Sequence, residues 1–286
     1  MCQAMKLVSF HAGRGDVRPG AVVGEEVVDL SAVAPTILAL LQMGVDAART
    51  ALDGPRTPLA EVTLTAPIAR PPKFLAIGLN YALHVAESQT PKPEHQLWFN
   101  KQSTCVIGPG EAIQIPTVSS MVDYEGELGF VIGQRCRHVP ADRAAEVIAG
   151  YLVVNDVSVR DWQRRTPTMT MGKSFDTHGP TGPWIVTADE VPDPHDLRLR
   201  TWVSDDLRQD SNTGDMIFNC FQQIEHLSTA FTLEPGDIVT TGTPSGVGMA
   251  RTPPAWLVAG DTVRITIDGI GTLENPVVRE PEGEPA

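Results

Sequence analysis

From Phe74 onward the chain is a succession of short β-branched and aromatic runs, each closed by glycine, proline or another turn residue. Runs this short and this closely punctuated cannot become long helices, so they constrain the region to a strand-rich fold. The predicted strands are Phe74–Ile77, Val122–Ile132, Gly150–Val157, Trp184–Val186, Leu199–Val203, Asp237–Thr241 and Thr262–Ile267. The predicted helices there are few: Tyr81–Ser88, Ala141–Val147 and Ile217–Ala230, the last with Ile217, Cys220, Phe221, Ile224 and Leu227 at helical spacing. With 25 glycines and 24 prolines among 286 residues, many turns are expected, and 42% hydrophobic residues suffice for a packed core.

The N-terminal stretch has another texture. Lys6–Phe10, Ala21–Val23 and Glu26–Leu30 read as short strands. Pro35 to Leu52 reads as one helix with Ile37, Leu38, Leu40, Leu41 and Val45 on an apolar stripe, and a proline-rich linker runs on to Pro72. The expected fold class is therefore α+β, a small N-terminal α/β domain over residues 1–70 beside a main domain over 71–286, without internal repeats.

Charge removes several functions. Lys and Arg number 22 against 35 Asp and Glu, a net charge of −13 and a pI of about 4.9. Nucleic acid and anionic membranes both call for a basic face, so neither is an expected partner. Cys2, Cys105, Cys136 and Cys220 form no C-x-x-C pair, which suits a reducing compartment. Met1 to Gly20 contains no apolar signal-like stretch and no segment approaches a membrane span, so the expectation is a soluble cytoplasmic protein.

The chemistry-bearing residues gather in a few segments. In Asp123-Tyr-Glu125-Gly-Glu127-Leu, alternation on a strand puts Tyr124, Leu128, Phe130 and Ile132 on an apolar face and Glu125 and Glu127 on the other. Residues two apart sit roughly 6.5–7 Å apart, so both carboxylates can reach one hard cation. The same spacing also describes a solvated acidic strand face. Tyr151-Leu-Val-Val-Asn155-Asp156 is an apolar run that turns polar abruptly. A carboxylate there is costly to bury without a counter-ion, which makes Asp156 a third oxygen ligand or a turn cap. In Asn80-Tyr-Ala-Leu-His84-Val-Ala-Glu87, Asn80 is a candidate N-cap, and His84 and Glu87 share a helix face at i, i+3. A carboxylate so placed orients an imidazole as general base, although such a pair can also be idle. Arg160 and Gln163 follow Asp156, Lys173 is hemmed by turn residues, and the glycines around Thr243 lack phosphate-loop spacing. No Gly-x-Ser-x-Gly elbow is present.

Together these segments resemble the fumarylacetoacetate hydrolase family. The strings that carry the resemblance are Ile77-Gly-Leu-Asn80-Tyr-Ala-x-His84, Phe99-x-Lys101, Asp123-Tyr-Glu125-x-Glu127-Leu, Gly150-Tyr-x-Val-x-Asn155-Asp156-Val-Ser-x-Arg160-Asp161, Gly172-Lys173-Ser174-x-Asp176-Thr, Gly179-Pro-x-Gly-Pro-Trp184 and Pro235-Gly236-Asp237-Ile-Val-x-Thr-Gly242-Thr243-Pro-x-Gly246-Val-Gly, over about residues 70–278. The resemblance implies a mixed β-sandwich roll and a homodimer. It implies a Mg²⁺ or Mn²⁺ site (Ca²⁺ being a further oxygen-seeking candidate) at Glu125, Glu127 and Asp156. It also implies a small-molecule 2-oxo acid substrate, with His84 and Glu87 activating water, Lys173 acting beside them, and Arg160, Gln163, Thr243 and Gln209 binding substrate. The function it implies is C–C hydrolysis of an acylpyruvate-like 2,4-dioxo acid. An oxaloacetate-type decarboxylase, a dienoic dioate isomerase or hydratase of aromatic catabolism, and a non-catalytic metal-binding relative are the alternatives. Thr166–Met171 is expected to line the pocket, and His178, where many relatives carry Phe, is a pocket donor or a bystander.

Overall fold

The computed structural model describes residues 5–13 and 15–281; Cys2 lies outside the described residues. Two mixed sheets face each other. The larger has twelve strands, and its main path runs Arg56–Pro58, Glu26–Asp29, Arg18–Val23, Lys6–His11, Gly179–Thr187, Ile148–Asn155, Gly126–Ile132, Ile238–Thr240, Phe74–Gly78, Leu97–Asn100. Most neighbours are antiparallel, but Ile238–Thr240 lies parallel to Phe74–Gly78. The smaller sheet runs Asp206–Asn212, Arg198–Val203, Thr262–Ile267, Gly271–Arg279, Ile113–Ile115. Strand-rich mixed sheets with few helices are thus the architecture. The N-terminal strands join the same large sheet through the pairing of Lys6–His11 with Gly179–Thr187.

The apolar runs are uninterrupted because the central strands are covered on both sides. Every residue of Gly126–Ile132 and of Ile148–Asn155 is buried. Leu128, Phe130, Ile132, Tyr151 and Val153 pack with Leu199, Val263, Ile265 and Leu273 of the smaller sheet and with Ile224 and Leu227 of the helix Cys220–Ala230. On the opposite face Val131, Leu152, Val154 and Ile185 pack with Ile37, Leu40 and Leu41 of the helix Ile37–Met43. Each such side chain contributes about 1.5–3 kcal/mol by leaving water.

Several local expectations differ from what is found. The helix expected over Pro35–Leu52 is two, Ile37–Met43 and Asp46–Arg49, because Gly44 between them takes a φ of 100°. Ala141–Val147 winds as a 3₁₀ helix. The helix expected from Ile217 starts at Cys220, capped by Asn219 and Gln222 in a reciprocal box. Ile217 and Phe218 form a bend outside the helix, their N–H groups donating to Asn80, at 2.7 Å to its backbone oxygen and 2.9 Å to Oδ1. Asn80 is consequently not an N-cap: its amide also donates to the Thr241 and Phe218 carbonyls, and Tyr81 precedes the helix Ala82–Glu87.

The last difference makes the site. The strand expected over Val122–Ile132 is interrupted at Tyr124–Glu125. Gly126–Ile132 pairs with Ile148–Asn155 as far as Gly126 opposite Asn155. Beyond that point Val122–Asp123 pairs with Ser158–Val159 in a separate two-stranded ladder. Both chains bend at the same level, and the bend turns their polar residues inward.

Candidate active site

At this bend the backbone is held by two bonds: the Asp156 N–H donates to the Glu125 carbonyl (2.9 Å), and the Glu125 N–H donates to Asn155 Oδ1 (3.0 Å). Glu125, Glu127 and Asp156 are thereby brought together, with one carboxylate oxygen from each lying within 4.8 Å of the others, and all three are buried. Burial, Asp156 and Glu125 together push the Glu127 carboxyl well above the usual range. Burial alone would raise Glu125 too, but Arg160 and Lys173 outweigh it and hold Glu125 at about 2. A crowded, buried, all-oxygen set of this kind fits a hard divalent cation, which would relieve the repulsion that falls on Glu127.

Three cations balance the cluster from the protein side. Lys173 Nζ donates to Glu125 Oε2 (2.5 Å) and to Asp156 Oδ2 (2.7 Å). Burial would lower its pKa, but Asp156 and Glu125 raise it, so it is held as an ammonium. Lys101 Nζ donates to Asp156 Oδ1 (2.7 Å) and to the Lys173 carbonyl. Arg160 pairs with Glu125 Oε1 (2.6 Å) and with Asp123 Oδ2 (2.8 Å). Asp123 in turn accepts from the N–H groups of Gly248 and Met249, at 2.7 and 3.0 Å. Gly172 is required for this layout: a Cβ there would stand 2.1 Å from the Gln163 backbone nitrogen, forcing Lys173 away from Arg160.

A cavity of about 290 Å³ opens onto the cluster. Its polar wall includes His84, Glu125, Glu127, Arg160, Gln163, Lys173 and Thr243, and its apolar wall includes Ile77, Leu97, Phe99 and Met249. His84 Nδ1 lies 2.8 Å from Glu87 Oε1, and Glu87 also accepts from the Gly246 N–H at 2.9 and 3.1 Å. With Nδ1–H turned to Glu87, Nε2 carries the lone pair. The pair is not a surface ornament, since His84 is 7% exposed. Gly246 holds a φ of 102°, and a Cβ there would meet the Arg208 carbonyl at 2.1 Å, so the loop that anchors Glu87 needs glycine.

The remaining sequence candidates divide. Arg160 and Gln163 reach the cavity joined to one another, Arg160 Nη1 donating to Gln163 Oε1 at 3.0 Å. Thr243 lines it and donates to the Gly126 carbonyl. Gln209 is not in the cavity wall: its amide is used up on Thr243 Oγ1, the Pro244 carbonyl and the Gly126 N–H, so it positions Thr243 instead. Of Thr166–Met171, Met169 lines the cavity. His178 does not; it is buried with Nε2 2.8 Å from the Gln114 carbonyl. Sequence reasoning passed over Lys101 and Asp123 as site residues. Their only signal was membership of the quoted strings, because their partners lie 55 and 37 residues away.

A sandwich that opens at one end onto a buried carboxylate cluster, balancing cations and a His–Glu pair is the framework of an enzyme. The chain belongs to the fumarylacetoacetate hydrolase family, whose description, fumarylacetoacetate (FAA) hydrolase C-terminal, matches residues 73–278. It is 40% identical over 292 residues to the mitochondrial oxaloacetate tautomerase fahd2 of Xenopus laevis, covering 96% of this chain and 91% of that one. Among solved structures it resembles the 2-hydroxyhepta-2,4-diene-1,7-dioate isomerase of Mycobacterium marinum, with a TM-score of 0.80, 37% identity, and 97% and 100% of the two chains covered. It also resembles maleylpyruvate hydrolase of Sphingobium sp. SYK-6 in complex with manganese(II) and pyruvate, with a TM-score of 0.81, 33% identity, and 96% and 99% covered. Among the described residues no helix is long and apolar enough to cross a membrane.

Proposed function

We propose that the chain is a divalent-metal-dependent hydrolase that cleaves a C–C bond of an acylpyruvate-like 2,4-dioxo acid. The observation that carries the reading is that His84, oriented by Glu87, shares one cavity with Glu125 and Glu127, which with Asp156 form the carboxylate cluster. Those three carboxylates would hold Mg²⁺ or Mn²⁺, which when bound supplies Lewis-acid polarisation of the 2-oxo group. His84 Nε2 takes a proton from water, and the water oxygen attacks the distal carbonyl carbon. The bond between that carbon and the pyruvate methylene breaks, its electron pair leaves with the pyruvate fragment, and the proton held on His84 returns to that fragment. Glu87 stabilises the imidazolium that forms between these steps. Thr243 and Gln163 orient the substrate, while Lys101 and Lys173 keep the carboxylates in place as charge moves. The homodimer implied by the family resemblance and the cytoplasmic setting expected from the cysteine pattern and the absence of a signal-like stretch belong to the same reading.

A second reading is favoured by the similarity to an oxaloacetate tautomerase. Tautomerisation needs a proton moved between carbon and oxygen and no attacking water, and His84 could serve that as well. Steady-state assays of acetylpyruvate and of oxaloacetate with chelator-stripped protein, with and without Mg²⁺, separate the two. Mg²⁺-dependent formation of acetate and pyruvate is the expected result. Interconversion of the oxaloacetate keto and enol forms with no acetylpyruvate cleavage would replace hydrolase by tautomerase.

A further inference from the structure

Glu125 faces the carboxylate cluster, and the residue before it turns the other way, since neighbours along an extended segment point to opposite sides. Tyr124 is 0% exposed and packs in the core that includes Leu128 and Phe130. A phenylalanine would fill the same space, so what distinguishes this residue is its hydroxyl. That hydroxyl donates to the Gly246 carbonyl at 2.9 Å. The carbonyl can only accept, which fixes the direction of the bond.

Gly246 is also the residue whose N–H reaches both oxygens of Glu87, at 2.9 and 3.1 Å. Its two backbone groups thus face two ways, the carbonyl to Tyr124 and the N–H to the carboxylate beside His84. A glycine at a φ of 102° has no Cβ to restrict its rotation, so the direction of its N–H is set by whatever holds the residue. Three contacts hold it. They are the Tyr124 hydroxyl, the Glu87 carboxylate, and the Arg208 main chain, whose carbonyl oxygen lies 2.1 Å from where a Cβ would stand. The rest of the loop is tied elsewhere: the Pro244 carbonyl accepts from Gln209, and the N–H groups of Gly248 and Met249 donate to Asp123. Of these loop bonds, those from Gly246 alone end on Glu87.

We propose that Tyr124 is a positioning residue for the base: its hydroxyl holds Gly246 so that the Gly246 N–H fixes Glu87, and Glu87 fixes the His84 imidazole. The inference rests on the reading of His84 as a base and deepens it. One dipeptide then serves both halves of the site, Glu125 the cation cluster and Tyr124 the base. The bend that interrupts the strand at these two residues keeps the halves in register with each other. A misplaced base slows proton transfer while leaving substrate binding in place, so the hydroxyl should matter to rate and not to affinity.

Tyr124→Phe keeps the ring and removes the hydroxyl. In the Mg²⁺-loaded protein it is expected to lower kcat about three- to tenfold with KM within about twofold. In a Glu87→Ala background the same change should lower kcat no further, because the path it acts through is already cut. An unchanged kcat in Tyr124→Phe, an effect confined to KM, or the same fall with and without Glu87 overturns the proposal. The cycle is run on whichever of acetylpyruvate cleavage and oxaloacetate tautomerisation the wild type catalyses, so failure of the hydrolase reading leaves the test intact. If the wild type catalyses neither, or Glu87→Ala has no measurable turnover, the proton NMR spectrum of the Mg²⁺-loaded protein decides. The Nδ1 proton assigned to His84 by its loss in His84→Gln should exchange faster with solvent in Tyr124→Phe, and an unchanged exchange rate removes the proposal.

Discussion

His84 and His178 are both buried, at 7% and 0% exposed, and they are fitted for opposite ends. His84 has a carboxylate on Nδ1 and a cavity before it. His178 has a backbone carbonyl on Nε2, a phenyl ring at 5.5 Å, and an Nδ1 without a partner. Burial lowers the His178 pKa to about 4 in spite of the bond to Gln114, which keeps the ring neutral. Burial therefore says little about what a histidine does. A base needs a partner that accepts its positive charge and a free nitrogen facing substrate, and only the first histidine has both.

The largest effect should come from breaking that contrast at its active member. His84→Ala is expected to lower kcat about 10²–10⁴-fold, whereas His178→Phe, which replaces one buried ring by another, should leave kcat within about twofold. A comparable loss of kcat in both variants would mean that the two rings are not functionally distinct.

The second effect is on stability. The unfolded chain takes up a proton on His178 near pH 6.5 and the folded protein only near pH 4, so folding is favoured by a neutral ring. This contribution is fully present above pH 6.5, is lost progressively as the pH falls, and levels off below pH 4 at about 3 kcal/mol. Urea unfolding at several pH values should show wild type losing about that much more stability than His178→Phe over this window. Parallel curves would contradict the neutral, desolvated ring.

The smallest effect sharpens the contrast from the partner's side. Glu87→Gln keeps a hydrogen bond to His84 but removes the charge that stabilises the imidazolium. A fall of about tenfold in kcat with KM little changed is expected, and a pre-steady-state measurement of the cleavage step should carry the same loss. A change confined to KM would place Glu87 in substrate binding instead.

Part of this site was legible in the chain as written. The i, i+3 spacing of His84 and Glu87 sets them on one face of any helix formed there, and the two-residue spacing of Glu125 and Glu127 sets them on one side of any strand. The β-branched runs announced the strands for the same local reason. What each pair would face was not local information. Asp156 joins the glutamates because two strands part at one level, Lys101 reaches Asp156 across 55 residues, and Gln209 turns inward to hold Thr243 rather than substrate.

The sequence by itself determined the fold class, the family and the kinds of side chain available for chemistry, since these depend on periodicity, turn residues and ordered motifs. The tertiary structure alone decided which carboxylates share a cation site, which histidine has a partner carboxylate and a cavity before it, and which lysines stand against the carboxylates. Those properties depend on distance and burial, and both are set by strand pairing and packing between segments remote in the chain.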